Sequence, residues 1–143
     1  MPSIRRLRPS IYTFDLGRFR IATVLDFAEV RDGLGVSFAV GQPETVLREL
    51  AAFNHIDADR YEHPFIPALI DTGSTRILFD TGLGAPDGAL LSCLQELGIS
   101  PDVIDIVALT HGHPDHIGGL IEDGKLVFAR SRYVFGAAES PSG

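Results

Sequence analysis

Residues 11 to 27, "IYTFDLGRFRIATVLDF", alternate in two runs rich in Ile, Val, Thr, Tyr and Phe, broken at Asp15-Leu16-Gly17-Arg18. β-branched and aromatic residues on either side of a glycine-containing turn predict a hairpin. Residues 29 to 42 hold Gly33, Gly35 and Gly41 without a clear period, so a loop is expected there, placed as a flap. Beyond it, "ETVLRELAAF" sets Val46, Leu47, Leu50 and Ala51 at helical spacing, with Pro43 near the first helical position, where its missing N–H costs least.

The stretch "FIPALIDTGSTRILFDTGLG" repeats the hairpin pattern, two apolar runs around the turn residues of "DTGST". Asp87 is placed to cap a helix through "GALLSCLQELG", and Gly98 to stop it in a left-handed conformation. "IDIVALT" is short, continuously apolar and rich in β-formers, as expected of a strand buried on both faces. The order β-β, α, β-β, α, β is an α/β arrangement. Residues 1 to 143 are expected to form a single domain.

Composition narrows the function. Forty-five per cent hydrophobic and 22% charged residues are ordinary for a globular domain. A formal charge of −7, from nineteen acidic and twelve basic residues, argues against binding phosphate backbones or anionic membranes and in favour of a small-molecule substrate. The single Cys93 lies in an apolar stretch and reads as a small buried hydrophobe. Arg5, Arg6 and Arg8 are not followed by an apolar segment of the kind that export requires, so a cytoplasmic location is expected.

The chemistry is concentrated in "ALTHGHPDHIGGL", residues 108 to 120. Three of the five histidines fall in this stretch, and residues two apart point in different directions on a helix. His111 and His113 can therefore converge only from a strand end or loop, which Gly112 and Pro114 supply. Pro114 can open a short helical turn with His113 near its cap and Asp115 in its first turn, limited by Gly118 and Gly119. Imidazole nitrogen with carboxylate oxygen is a ligand set that suits zinc, with manganese and iron as competitors. His55 and His63, in a polar loop and before Pro64, read as surface residues.

"THGHPDHIGG" matches the H-x-H-x-D-H signature of the metallo-β-lactamase-fold superfamily, and "ILFDTGLG", residues 77 to 84, resembles the strand-end aspartate motif that precedes it there. The resemblance implies half of an αβ/βα sandwich, a mixed β-sheet with flanking helices. It also implies that His111 and His113 bind one metal, that Asp115 and His116 bind a second, and that Asp80 braces the loop from behind the ligands. The cofactor would be zinc, up to two ions, or else manganese or iron. The implied reaction is hydrolysis of an ester, lactone or related bond by a metal-activated water, with Asp115 orienting that water and taking its proton.

The family's further ligands come from a second half, whereas the 27 residues after His116 contain no histidine. The chain thus resembles the N-terminal portion of a longer domain, with another helix expected near Glu139. Alone it is expected to be hydrolytically incompetent, and to self-associate through an exposed sheet or apolar surface. The long segment before Asp80 resembles the lactonase-like and organophosphate-hydrolase-like branches, with Phe38, Phe53 and Phe65 available to line an apolar pocket. A glyoxalase-II-like thioesterase, or a non-catalytic metal-binding or assembly module, stands as the alternative.

Overall fold

The structure, a computed structural model, describes residues 9–137. Arg5, Arg6, Arg8 and the helix expected near Glu139 lie outside the described residues. Two compact units are present, one from Ala28–Pro64 and the other from the chain on either side of it.

The first strands, β1 (Ile11–Leu16) and β2 (Phe19–Val24), form the expected antiparallel hairpin, with Gly17 at a φ of 61° in the tight turn. Part of the expected loop over residues 29 to 42 is instead a strand, β3 (Phe27–Asp32), followed by the short helix α1 (Leu34–Ser37). Val30 and its neighbours gain a partner far along the chain, and the strand stops at Gly33, whose φ is 71°. Helix α2 (Glu44–Phe53) follows, with Pro43 capping it just ahead of the first helical residue. Strand β4 (Arg60–Phe65) pairs with β3. His63 lies on β4, half-buried, with its ring 5.4 Å from that of Phe38, so the expectation of a surface residue is corrected there; His55 is exposed.

The chain then runs through β5 (Ala68–Asp71), β6 (Arg76–Phe79), α3 (Leu90–Glu96) and β7 (Ile106–Leu109). A one-turn helix α4 (Pro114–Ile117), a tiny hairpin of β8 (Ile121–Glu122) and β9 (Lys125–Leu126), and β10 (Arg132–Phe135) complete it. The main sheet has the order β1-β2-β5-β6-β7-β10, antiparallel as far as β6 and parallel from β6 through β7 to β10.

Register explains where the core sits. Ala22, Leu69, Leu78, Val107 and Tyr133 are successive cross-strand partners, and this row faces Leu90, Cys93 and Leu94 of α3 together with Ile104 and Phe128. Leu78, Val107, Leu94 and Phe128 have no exposed surface, and burying each such side chain contributes roughly 1.5–3 kcal/mol. Burial also pushes the Cys93 thiol above its ordinary pKa, which suits a packing residue rather than a nucleophile. The alternate row, Tyr12, Thr23, Ala68, Phe79, Ala108 and Val134, lies on the other face, where Tyr12 is 63% exposed. Strand β7 is thus sealed on one face and half-buried on the other.

Gly98, at a φ of 72°, closes α3 as expected. Asp87 does not cap that helix. It is exposed, and the helix start is held by a residue far earlier in the sequence, whose Asp26 carboxylate accepts from Leu90 N at 2.8 Å. Among the described residues no helix is long and apolar enough to cross a membrane.

Candidate metal site

Strands β6 and β7 run parallel, so their carboxyl ends lie side by side, the usual position for chemistry in an open α/β sheet. Asp80 is the residue after β6, and Thr110 and His111 directly follow β7. The backbone N–H of Asp80 donates to Ala108 O at 2.9 Å, tying the two strand ends together. Asp80 has a φ of 61°, a left-handed conformation that aspartate tolerates better than most residues and that tertiary structure must enforce.

The enforcement is visible in its side chain. Asp80, 9% exposed, accepts from Thr110 N at 2.8 Å, from the Thr110 hydroxyl and from His116 Nδ1 at 2.8 Å. Thr81 adds two further ties, its N–H and hydroxyl both donating to His116 O at 2.8 and 3.0 Å. Gly119 N donates to Gly82 O at 3.2 Å, and a Cβ on Gly119 would lie 2.2 Å from Thr81 O. Only glycine permits that approach. The loop after β6 therefore grips the loop after β7 along its length.

Within that grip the local fold follows the expectation from sequence: His113 is the cap of α4, Pro114 its first residue and Asp115 lies in its first turn. His111, His113, Asp115 and His116 are brought together with Asp80 and Thr110. Nε2 of His111 lies 3.1 Å from Nδ1 of His113, and Nε2 of His116 lies 3.1 Å from Oδ2 of Asp115. The rings of His111 and His116 are 3.9 Å apart, centre to centre. His55 and His63 belong to the other compact unit. Sequence reasoning passed over Thr110, whose hydroxyl touches Asp80, His111 Nδ1 and His116 Nδ1. The available signal was its position between a buried strand and the first histidine.

These contacts constrain protons. A carboxylate only accepts, so the short contact to Asp80 requires His116 Nδ1 to carry a hydrogen. In the neutral ring Nε2 then keeps a lone pair, and that lone pair faces the acceptor oxygen of Asp115. Two acceptors 3.1 Å apart need a proton between them, on the ring or on the carboxyl, or a cation. The His111–His113 nitrogens, 3.1 Å apart, are close to the spacing of about 3.4 Å that two nitrogens take when each lies about 2.1 Å from a tetrahedral zinc ion. As they stand, the side chains bond one another: among the described residues no three His, Cys, Asp or Glu groups form a ready cage for an ion.

Comparison with known proteins places this segment. The sequence profile of the metallo-beta-lactamase superfamily matches residues 68–122, from β5 to the end of β8. The anti-Pycsar protein Apyc1 of Saccharibacillus brassicae is 44% identical over 57 residues, 40% of this chain and 22% of Apyc1. Thioesterase pkgB of Emericella nidulans is 50% identical over 56 residues, 38% of this chain and 16% of the thioesterase. Among solved structures, the dizinc quorum-quenching lactonase AidC, in complex with a homoserine product, superposes on 91% of this chain with a TM-score of 0.77 and 29% identity. The chain spans 46% of that lactonase and smaller fractions of the two curated relatives.

Proposed function

The chain belongs to the metallo-β-lactamase superfamily, and on that premise we propose that it carries the first metal-binding loop of a zinc-dependent hydrolase acting on a lactone or related ester. The observation that carries this reading is the pair of facing acceptors, His116 Nε2 and Asp115 Oδ2, with His116 Nδ1 committed to Asp80. His111 and His113 would hold one ion and Asp115 and His116 another, manganese or iron being the competitors of zinc. Zinc held by these residues would supply the acidity that lets a water ionise near pH 7, against about 15.7 in bulk.

The chain's own residues supply orientation and proton handling. Asp80 fixes the His116 ring so that Nε2 points toward the ion position, and the Thr110 hydroxyl links Asp80 to His111. Asp115, half-buried and paired with His116, is the group assigned to orient a water and take its proton. The lactone preference draws on the extent of the likeness to AidC. A thioester substrate is the second reading, favoured by the 50% identity to the thioesterase over 56 residues.

The partner assignments follow from the surface. The charge of −7 favours a small molecule over nucleic acid or an anionic membrane. Self-association through the open sheet face is supported by exposed Tyr12, Leu16 and Val134; a light-scattering mass equal to one chain would remove it.

Elemental analysis of the purified protein, wild type against His113→Ala, tests the metal assignment: zinc is expected to be retained by the first and reduced in the second. Equal, near-zero metal in both would overturn it. Turnover of γ-lactone, aryl ester and thioester substrates by the zinc-loaded whole protein then separates the two substrate readings.

A further inference from the structure

Asp26 is the most deeply buried acid described, 3% exposed, and the metal-site loop is built around it. It lies two residues beyond β2, distant in sequence from both strand-end motifs. Its carboxylate accepts from Leu83 N through Oδ2 and from Leu90 N through Oδ1, both at 2.8 Å, and its carbonyl accepts from Ala89 N at 2.9 Å. A Cβ on Gly82 would lie 2.3 Å from the carboxylate, and one on Gly88 2.7 Å from it. Both glycines leave room for this one side chain.

The opposite side of the same segment faces the histidine loop. A Cβ on Gly84 would lie 2.6 Å from Gly118 O, and one on Gly118 2.3 Å from Leu83 O. Residues 81–84 are therefore held between the Asp26 carboxylate and residues 118–119. The same residues carry the Thr81 ties to His116 O and the Gly82 carbonyl that accepts from Gly119. Displacing Leu83 by a few tenths of an ångström moves the backbone that holds His116.

We propose that Asp26 is a positioning residue for the metal site, setting the orientation of His116 through residues 81–84 rather than by contact with any ligand. The inference rests on the reading of His116 as a metal ligand, but its structural half stands without metal. Asp26→Asn is the informative change: the amide keeps the shape and one acceptor oxygen, yet turns an NH2 group toward the second backbone N–H. Two donors at 2.8 Å repel, so either Leu83 or Leu90 must move.

The test has two arms, both using the complete chain. In metal-free protein, the His116 ring nitrogens are followed by 15N NMR; Asp26→Asn is expected to shift the Nδ1 resonance and weaken its hydrogen bond to Asp80. With cobalt as the probe ion, affinity is expected to fall about 3- to 10-fold, less than the roughly 10- to 100-fold typical of residues that bond a metal ligand directly. Leu94→Ala, on the buried face of α3, controls for lost stability and is expected to leave both readouts near wild type.

If Asp26→Asn fails to fold, Gly88→Ala presses a methyl group both on the same carboxylate and on the Gly84 backbone N, at 2.8 Å, so it displaces the same segment and is expected to give the same His116 shift. An unmoved His116 resonance in a folded Asp26 or Gly88 variant would overturn the proposal, as would equal changes in Leu94→Ala. Absence of cobalt binding in the wild type would instead count against the metal reading and leave the first arm to decide the role of Asp26.

Discussion

Asp26 lies two residues beyond β2 and Asp80 one residue beyond β6, both buried and both accepting backbone N–H groups through their carboxylates. They differ in what else they touch. Asp26 spends both oxygens on main-chain amides, Leu83 and Leu90, whereas Asp80 gives one to Thr110 and shares the other between the Thr110 hydroxyl and the ring of His116. The difference separates two jobs that one residue type can do at a strand end. A carboxylate that meets only backbone fixes where a loop runs, and one that also meets a polar ring fixes how a functional side chain points.

That contrast orders the effects of removing each acid. Asp26→Ala leaves one buried and one half-buried N–H group without acceptors, at about 1–3 kcal/mol for the buried one and less for the other, so a loss on the order of 3 kcal/mol is expected in chemical denaturation. A loss under about 0.5 kcal/mol would mean that water replaces the carboxylate and that the loop does not depend on it.

Asp80→Asn is expected to do less to stability and more to the site. The protein should fold, while metal affinity or rate falls roughly 10- to 100-fold, since the amide can no longer serve equally as acceptor for Thr110 and His116. Unchanged metal content and kinetics would reduce Asp80 to a turn residue and erase the contrast.

Asp71, at the end of β5, gives the smallest effect. It is about a third exposed, and the Gly73 N–H, more than its pairing with Arg76 at 3.1 Å, holds its carboxyl below the ordinary value. A depressed folded-state pKa contributes stability that is fully present above the unfolded value of about 3.9 and is lost as pH falls through the folded value. Asp71→Asn is therefore expected to lower stability slightly at neutral pH and to converge with the wild type as pH falls below about 4, measured by thermal melting.

Much of this was legible along the chain. The β1–β2 hairpin, α2, β5 and β6, the Gly98 stop and the α4 turn with His113 at its cap all follow from local pattern, because each is decided by residues within a few positions of one another. What stayed hidden was decided at long range. Strand β3 needs β4 as its partner, and the start of α3 is satisfied by Asp26 rather than by nearby Asp87. Local capping rules point to the nearest acid, whereas the fold delivers one 64 residues away. The histidine cluster was conspicuous from spacing alone; the proton constraint on His116 was not, since it depends on Asp80 and Asp115 meeting opposite nitrogens of one ring.

The most direct test of the metal reading is zinc-edge anomalous diffraction from crystals grown with two equivalents of zinc. An anomalous peak is expected within about 2.1 Å of both His111 Nε2 and His113 Nδ1, with a second, weaker peak between His116 Nε2 and Asp115. A map without a peak at either pair, with the two contacts still at hydrogen-bonding distance, would contradict it.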